Sequence, residues 1–569
     1  MSGPVYDAIV VGSGAAGGAA VYQLTRRGLK TLLLEAGPDI DPRVENIHHK
    51  MPFELEFRGQ LSARDRLRYR GNKSTNVYNQ RTMLPDSEEP YSFPDDKPFM
   101  WVRSRALGGK TLHWGRYSFR FSDYDFACAS RDGFGINWPI RYRHIAPYYS
   151  LVERTIGVAG SKESIPNLPD GEFQPALPMR CGEHILRKGV EKLGMRLIPT
   201  RVAVVTSREF SRPRCHFCGH CNRLCSTGAM FSSRVSFIPL AQETGKLEIK
   251  TDAIVREVLT DDEGFARGVS YVDRGSRQDY EASAKTVVLA ASTLSSTKIL
   301  LTSRDRNHPT GLGNSSGELG KNLSEHTMAA RITGIAPVLR GKMPGYPEDG
   351  HPGASFVPPF VNVDNPEETD FIRNYSFQCW SGTSDYPGHA HRLAGFGADF
   401  KRRVKNIYPA LVNMTTNGEV LCRPENFVEL DPDGSTDPYG IPCLKIHLTF
   451  GDNDHRMIRH MNDKAEEICR AAGIEILSHR REASQPGWSI HEVCTARMGS
   501  DPRMAVLDGY NRSYDVPNLF VVDGAAFSSA TALEPTLTIM ALAARAGDHI
   551  ADLLDRREMR KHGPRETLA

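Results

Sequence analysis

The stretch Asp7-Ala8-Ile9-Val10-Val11-Gly12-Ser13-Gly14-Ala15-Ala16-Gly17 opens the chain and decides the fold of its first domain. An apolar strand runs into a glycine turn and a helical segment, and a second apolar strand ends at Glu35. Gly12 permits a tight turn, Gly14 lets backbone N–H groups approach a pyrophosphate, and Gly17 lets the helix pack closely on the strand. Glu35 stands about 20 residues further on, where a carboxylate accepts a hydrogen bond from a ribose hydroxyl. The pattern predicts a dinucleotide site and does not choose between FAD and NAD.

Composition excludes several classes of protein. The 569 residues are 40% hydrophobic and 24% charged, which is typical of a globular chain of two to four domains. The net charge is +3, and no basic patch is interleaved with aromatic residues, so we expect no nucleic-acid partner. No apolar run approaches the roughly 18 residues of a membrane-spanning helix.

The N-terminus bears on where the protein works. The first strand begins near Tyr6, which leaves no room for an export signal before it. We therefore expect the chain either to stay in the cytoplasm or to leave it bound to a partner that carries a signal. Seven cysteines are scattered along the chain, which favours free thiols over a disulfide framework. They are Cys128, Cys181, Cys379, Cys422, Cys443, Cys469 and Cys494.

Four further cysteines, Cys215, Cys218, Cys221 and Cys225, have the spacing C-x2-C-x2-C-x3-C. This spacing is that of the ligands in bacterial ferredoxins, so it predicts an iron–sulfur cluster of the 3Fe-4S or 4Fe-4S type. The proline that usually follows is replaced by Ser226 and there is no second run, so Cys225 is either the remaining ligand or a bystander. Structural zinc and free thiols are the alternatives, although zinc sites commonly separate two cysteine pairs by a dozen or more residues.

The pattern of apolar and turn-forming residues changes after about residue 331. Short alternating segments separated by Pro, Gly and Asp turns run to about residue 473, which predicts an antiparallel sheet and a second domain. The block His491-Glu492-Val493-Cys494-Thr495-Ala496-Arg497-Met498-Gly499 follows. A strand ending at Asp523-Gly524 and a helix opening after Pro535 complete the chain.

These blocks, in this order, resemble the glucose–methanol–choline (GMC) family of flavin oxidoreductases over nearly the whole chain. The resemblance rests on the opening glycine fingerprint, on Gly108-Gly109 with His113-Trp114, on the strand at 288–291 and on the blocks at 491–499, 523–524 and 535–538. It implies FAD, a discontinuous α/β Rossmann-like FAD-binding domain, and an α+β substrate domain with an antiparallel sheet. We place the FAD domain at 1–40, 98–150, 205–330 and 485–555 with a cysteine insert at 213–228, a loop-rich cover at 41–97, the substrate domain at 151–204 and 331–484, and a tail at 556–569.

The resemblance also implies contacts to the cofactor. Gly12, Gly14 and Gly17 would cradle the pyrophosphate and Glu35 the ribose. The remaining contacts follow from motif position: Gly109 and Thr111 against the flavin, Val255 on the adenine side, Asp523 and Gly524 at the ribityl–pyrophosphate region, and Thr536 and Leu537 at the ring edge. His113 stands in a block where some relatives attach the flavin covalently through a histidine, and whether it does so here is open.

Two residues are expected to carry the chemistry. Oxidation of an alcohol by a flavin needs a base for the hydroxyl proton, and a neutral histidine suits that role near pH 7. The resemblance assigns the base to His491. The family normally has a second His or Asn before the Pro-Thr segment, where this chain has Glu534. Glu534 either takes part in proton transfer, hydrogen-bonds His491 and raises its pKa, or is turned away as a spectator.

The cysteine run narrows the resemblance to the iron–sulfur branch of sugar dehydrogenases, which holds gluconate, glucose, fructose and glucoside 3-dehydrogenase catalytic subunits. It implies oxidation of a sugar or glycoside hydroxyl, with C3 favoured, and electron relay through the cluster to a cytochrome c or quinone. Such subunits are often exported to the periplasm with a small signal-bearing partner. The alternatives are an oxidase that uses oxygen, with structural cysteines, and a non-catalytic flavoprotein.

Overall fold

The computed structural model describes residues 5–44, 50–72, 74–342, 352–365, 368–382, 390 and 393–560. Its strands are β1 Val5–Val11, β2 Thr31–Leu34, β3 Tyr91–Ser92, β4 Val158–Ala159, β5 Ile198–Pro199, β6 Val202–Ala203, β7 Leu247–Lys250, β8 Ala253–Thr260, β9 Ala266–Asp273, β10 Asp279–Leu289, β11 His326–Ile335, β12 Ser355–Val357, β13 Tyr375–Ser381, β14 Leu411–Glu419, β15 Phe427–Leu430, β16 Leu444–His447, β17 Glu475–Arg480 and β18 Leu519–Val521. Its α-helices are α1 Ala15–Arg26, α2 Ala63–Arg68, α3 Asp123–Phe126, α4 Cys128–Asp132, α5 Tyr142–Ile156, α6 Cys181–Lys192, α7 Phe237–Glu243, α8 Thr293–Thr302, α9 Gly397–Ile407, α10 Asp452–Ala472 and α11 Thr536–Asp555.

The first sheet has the strand order β7-β2-β1-β10-β9-β8, with β18 also paired to β10. The pairs β1–β2, β1–β10, β2–β7 and β10–β18 are parallel, whereas β8, β9 and the first half of β10 form an antiparallel extension. All four residues of β2 are buried, as expected of a parallel strand with helices on both faces of its sheet. The parallel part confirms the predicted Rossmann-like unit.

The opening glycine turn is sterically required. Gly12 has φ +94°, and a Cβ there would lie 2.6 Å from the carbonyl oxygen of Ala290 in the adjoining segment after β10. A Cβ on Gly17 would lie 1.8 Å from the carbonyl oxygen of Gly12, which shows how closely α1 approaches the end of β1. The two glycines therefore shape the turn that follows the first strand, as the sequence predicted.

Helix α1 is covered by α11, the last helix of the chain. Gln23 Nε2 on α1 donates to Asp548 Oδ1 on α11 at 2.6 Å, and the Arg27 guanidinium at the end of α1 forms ion pairs with Asp548 and Asp552. The two ends of the sequence thus meet on one face of the first sheet, which agrees with a discontinuous FAD-binding domain.

The second sheet has the order β17-β11-β14-β13-β12-β5 and is antiparallel throughout. Apolar residues of α6 and α10, among them Leu186, Met457 and Met461, form a second core cluster with this sheet. Helix α10 ends at Gly473, which has the left-handed conformation that stops a helix. This sheet with its helices confirms the predicted α+β part of the fold.

A single antiparallel sheet over 331–473 would include strands β15 and β16. In the structure they do not join the second sheet. They pair with each other and with β3 in a separate three-stranded sheet. Val428, Leu444 and Ile446 belong to the larger core cluster, together with the first sheet. Alternation along each strand could not reveal this, because it gives the buried face of a strand but not its partner. The domain limits stay a prediction, and 561–569 of the predicted tail lie outside the described residues.

Candidate active site

A cavity of about 660 Å³ is lined by residues from both large sheets and from the segment 74–116. Most of the residues predicted to contact the cofactor or substrate line it: Gly12, Gly14, Glu35, Gly109, Thr111, His113, Val255, His491, Asp523, Gly524, Glu534 and Thr536. Gly17 and Leu537 do not. Gly17 shapes the turn below the cavity, and the Leu537 side chain is fully buried in the core. A volume of this size is typical of a cofactor or ligand site.

Ser13 connects the glycine turn to its surroundings. Its hydroxyl donates to Glu35 Oε2 at 2.5 Å and accepts from the Gly108 backbone N–H at 2.8 Å. Glu35 Oε1 accepts from the Gly37 N–H at 2.9 Å, so both carboxylate oxygens have partners within the protein. Burial raises the pKa of Glu35 above its usual range. The predicted pyrophosphate turn and the Gly108-Gly109 block are therefore held together directly.

The short 3-10 helix Gly109–Leu112 brings Thr111 and His113 to the cavity. The Thr111 hydroxyl donates to the Gly108 carbonyl oxygen at 2.5 Å and accepts from the Ser233 N–H at 3.0 Å. His113 Nε2 lies 2.8 Å from Thr82 Oγ1, whereas its buried Nδ1 has no partner in the described structure. Burial lowers the pKa of His113 to about 4, so this ring is neutral at pH 7.

Asp523 and Gly524 lie where β18 ends. Asp523 Oδ2 accepts from Ser296 Oγ at 2.5 Å, and Oδ1 accepts from the Ala525 N–H at 3.0 Å. Burial raises the pKa of Asp523 to about 6. A Cβ on Gly524 would lie 2.6 Å from Thr293 Oγ1, so the chain passes close to the start of α8 here. These contacts fix the backbone that faces the cavity.

His491 forms a hydrogen bond with a second histidine, His326, which no sequence motif indicated. His491 Nδ1 lies 2.9 Å from Nδ1 of His326, at the start of β11, and the two rings meet edge to face. His326 Nε2 lies 2.5 Å from the carbonyl oxygen of Thr531. Burial lowers the pKa of His326 to about 4 and holds the pKa of His491 well below 6.5. Both rings are neutral at pH 7.

These contacts determine the tautomer of both rings. A carbonyl oxygen only accepts, so His326 Nε2 carries the hydrogen and donates to Thr531. In a neutral ring the other nitrogen then accepts, which requires His491 Nδ1 to donate to His326 Nδ1. The lone pair of His491 is left on Nε2, and the His491 side chain lines the cavity. His491 is therefore held as a proton acceptor.

Glu534 lies just before α11, lines the cavity and is 4% exposed. Its Oε1 accepts from Asn417 Nδ2 at 2.9 Å and from Gln378 Nε2, whereas Oε2 has no partner in the described structure. Burial raises the pKa of Glu534 to about 7. The hydrogen bond to His491 that the sequence left open is not formed, and His491 bonds His326 instead. Gln378 and Asn417 carried no motif, because they are single amides on strands whose register the sequence does not give.

The segment predicted as a loop-rich cover contributes its own residues to the cavity. Ser74, Asn76, Asn79, Met83 and Glu89 line it beside the glycine turn. Since this segment has little periodicity, sequence reasoning predicted a loop-rich cover but could not select these side chains.

The four clustered cysteines line one small cavity of about 20 Å³. Burial raises the pKa of Cys215 to about 12, and the neighbouring thiols contribute to this shift. Among the residues that the structure describes, no three His, Cys, Asp or Glu side chains are arranged so as to hold a metal ion. The loop brings four thiols to one cavity, and the cluster stays a prediction.

Comparison with known proteins decides the family. The N-terminal GMC oxidoreductase model matches residues 6–328 and the C-terminal GMC oxidoreductase model matches residues 423–543. The chain belongs to the GMC oxidoreductase family. It is accordingly an FAD-dependent oxidoreductase that acts on CH–OH groups.

Relatives extend over almost the entire chain. The 2-methyl-1,2-propanediol dehydrogenase of Mycolicibacterium austroafricanum is 28% identical over 97% of both chains. The fructose dehydrogenase large subunit of Gluconobacter japonicus is 27% identical over 96% of this chain and 97% of that one. A structure of formate oxidase from Aspergillus oryzae RIB40, determined to study FAD modification, superimposes with a TM-score of 0.65 at 13% identity and covers 98% of this chain and 100% of that one. The relatives support the sugar-dehydrogenase branch, and the superposition shows the fold.

None of the described helices is both long and apolar enough to cross a lipid bilayer.

Proposed function

We propose that this protein is a dehydrogenase that oxidises a sugar or glycoside hydroxyl at FAD, with C3 of a glycoside the favoured position. The observation that carries the proposal is the neutral His491, whose Nδ1 is occupied by His326 and whose Nε2 is left as a proton acceptor at the cavity. A fructose dehydrogenase large subunit and a gluconate 2-dehydrogenase flavoprotein among the relatives support a sugar or sugar acid as the substrate.

The residues at the cavity fit FAD. The glycine turn offers backbone N–H groups at the start of α1, where an anionic pyrophosphate is favoured. Eight buried polar atoms without a hydrogen-bond partner in the described structure belong to side chains lining the cavity, among them His113 Nδ1 and Glu492 Oε1. Buried groups without partners are costly, so a polar ligand stabilises this arrangement. FAD, when bound, supplies the acceptor for a hydride.

His491 removes the proton during oxidation. The substrate hydroxyl gives its proton to His491 Nε2, and the carbon gives up its hydrogen with both electrons as a hydride, so that a carbonyl forms. His491 then becomes an imidazolium, and its Nδ1–H still donates to His326. The neutral base is ready at pH 7 because burial keeps its pKa well below 6.5.

Substrate bleaching of the flavin tests this role. FAD-loaded protein is mixed anaerobically with a panel of sugars, sugar acids and glycosides, and the loss of flavin absorbance is followed in a stopped-flow instrument. We expect His491→Ala to slow bleaching by about 10²-fold to 10⁴-fold. His455→Ala is the matched control, because His455 is exposed on α10 outside the cavity. Bleaching of the His491 variant at the wild-type rate would remove His491 from the mechanism.

We further propose that Cys215, Cys218, Cys221 and Cys225 hold an iron–sulfur cluster and that the acceptor beyond it is a cytochrome or quinone. The donor atoms support this proposal, since four thiols share one loop and one cavity. Such a cluster, when bound, would accept single electrons.

Iron and acid-labile sulfide in anaerobically purified protein test the cluster. We expect about three or four iron atoms per chain, and we expect Cys221→Ser to lose them. Cys181→Ser is the control, because Cys181 is an exposed thiol outside this loop. Full turnover with peroxide release and no bound iron would favour the oxidase alternative, with the cysteines structural.

Export with a small signal-bearing subunit completes the proposal. The fructose dehydrogenase relative is named as a large subunit, which supports a smaller partner for this chain too. Co-expression with candidate subunits, followed by fractionation, tests it: the chain would reach the periplasm with its partner and remain in the cytoplasm without it. Retention in the cytoplasm with every candidate would favour the cytoplasmic alternative.

A further inference from the structure

One end of the cavity is formed by a carboxyl group and two amides. Asn417 on β14 lies opposite Ser376 on β13, and Gln378 is two residues further along that strand, so the two amides lie on one face of the second sheet. Both donate to the same oxygen, Oε1 of Glu534. Their convergence fixes the carboxyl group in one orientation.

This arrangement leaves two buried acceptors without a donor. Glu534 Oε2 and Asn417 Oδ1 are buried and have no hydrogen-bond partner within the described structure, although both side chains line the cavity. The amide N–H groups of Gln378 and Asn417 donate to Glu534 Oε1 instead. Buried acceptors are costly when they remain unpaired, so this end of the cavity is complementary to a ligand that brings more than one donor.

Among the described residues, none of the cations that line the cavity forms an ion pair with Glu534. Most of the cations that line it already pair with other carboxylates, at N–O distances of 2.8–3.2 Å: Arg103 with Asp86, Arg105 with Glu89, Lys110 with Glu492, Arg256 with Asp279 and Lys298 with Glu89.

Arg116 is the remaining cation of the lining, and it donates to Met230 Sδ at 3.1 Å. Burial raises the pKa of Glu534 to about 7, and no charged side chain is among the causes of this shift. The carboxyl group is thus charged in part near neutral pH and has no counter-ion among the described residues. Buried charges in proteins are normally paired.

We propose that the substrate carries a protonated amino group, which Glu534 Oε2 and Asn417 Oδ1 bind, in the same molecule as the hydroxyl that is oxidised. An ammonium group supplies three donors and a positive charge, whereas a hydroxyl supplies one donor and no charge. The substrate class is therefore an amino sugar or another amino polyol. This inference rests on the proposed function, because it describes the substrate of the same cavity.

Matched sugars test the proposal in the FAD-loaded protein. The probes are methyl glycosides of 2-amino-, 3-amino- and 6-amino-deoxyglucose, each compared with methyl glucoside as its hydroxyl counterpart. Binding to the oxidised protein is measured by calorimetry without oxygen, and flavin bleaching is measured separately. We expect at least one amine to bind about tenfold or more tightly than its hydroxyl counterpart, with a matching preference in kcat/KM.

Variants assign the preference to the carboxyl group. Glu534→Gln keeps the shape and removes the charge, so the amine preference should fall to about threefold or less. Glu534→Asp keeps the charge and should retain a preference, which covers the case in which Glu534→Gln does not load FAD. Glu183→Gln is the control, because Glu183 is buried but does not line the cavity, and it should leave the preference unchanged.

The outcomes separate this inference from the proposed function. Equal binding of amines and hydroxyl counterparts by the wild-type protein, or a preference that Glu534→Gln leaves intact, overturns the inference while sugar oxidation stands. Selective binding of an amine that depends on Glu534 supports the inference. If an amine binds selectively but no probe bleaches the flavin, the proposed oxidation fails and the inference about binding stands.

Discussion

The proton acceptor His491 depends on His326, a residue that does not line the cavity. His326 accepts from His491 through Nδ1 and donates to the Thr531 carbonyl through Nε2, so one ring joins the base to the backbone. Without that contact, His491 is free to place its hydrogen on Nε2 and lose its function as an acceptor. His326 is thus a positioning residue.

Replacement of His326 separates this role from simple packing. We expect His326→Leu, which removes both polar contacts, to slow flavin bleaching by about 10²-fold. His326→Gln offers a donor and an acceptor in one side chain and should stay within about tenfold of the wild type. Stopped-flow bleaching with a saturating substrate measures both. Equal losses in the Leu and Gln variants would show that His326 acts through its volume alone.

Glu325, the neighbour of His326, is expected to make the stability of the protein depend on pH. Its oxygens accept from the Gly487 N–H at 2.7 Å and from Ser489 Oγ at 2.5 Å, and burial raises its pKa to about 8. A raised pKa in the folded state stabilises the fold below the pKa of the unfolded chain, about 4.3, and this stabilisation is lost as the pH rises towards 8.

Glu325→Gln should therefore gain stability relative to the wild type between pH 5 and pH 8. Urea unfolding at several pH values measures the difference. Glu89→Gln is the opposite case, because Lys298 and Arg105 lower the pKa of buried Glu89 to about 2, so its contribution is lost only in acid. A constant difference between the wild type and Glu325→Gln across this range would contradict the assigned protonation.

At the scale of elements, the turn between β1 and α1 is the most constrained part of the cofactor site. Gly12→Ala places a Cβ 2.6 Å from the Ala290 carbonyl oxygen at φ +94°, so we expect it to cost about 1–3 kcal/mol of unfolding free energy. Gly14→Ala is the matched control: a Cβ there meets nothing within 4 Å, and a change within about 0.5 kcal/mol is expected in the absence of FAD. Denaturant unfolding compares them, and equal stability of the two variants would contradict the geometry.

The elements also show how far the sequence determines this site. The glycine turn could be predicted from the physical requirements of a phosphate-binding turn, whereas the Gly109–Leu112 segment, His491 and Asp523 are implied by the family resemblance, and all of them reach the cavity. His326, Gln378 and Asn417 could not be predicted. They are single polar residues on strands of the second sheet, and they become part of the site only through strand register and through the packing of that sheet against the first.

Strands β15 and β16 illustrate the same limit for the fold. Their alternating pattern predicted strands correctly, and the turn-rich spacing predicted an antiparallel pair. Their position beside β3, more than 300 residues earlier in the sequence, depends on long-range contacts that no local pattern contains.

At the scale of the whole molecule, the cofactor cavity connects the parts of the chain. Its lining runs from Val11 to Ile539 and includes both large sheets and the segment 74–116. A ligand that binds the folded state alone stabilises it by RT ln(1 + [L]/Kd), about 2.7 kcal/mol at one hundred times Kd.

FAD should therefore raise the melting temperature of the whole protein in a single transition and protect both sheets from hydrogen exchange. Differential scanning calorimetry and exchange mass spectrometry, with and without FAD, measure these effects. Riboflavin is the matched control, since it lacks the pyrophosphate and should stabilise far less. Protection limited to the first sheet would show that the second sheet is independent of the cofactor.

The pairing of α1 with α11 has a consequence for synthesis. A ribosome makes α1 hundreds of residues before α11, yet Gln23 and Arg27 at the end of α1 find their partners on α11. Strand β18, which pairs with β10, is also made late. The nascent chain consequently carries an uncovered face of α1 until α11 has been made, a situation in which chaperones commonly hold a growing polypeptide. The FAD-binding domain is therefore completed only after β18 and α11 have been made.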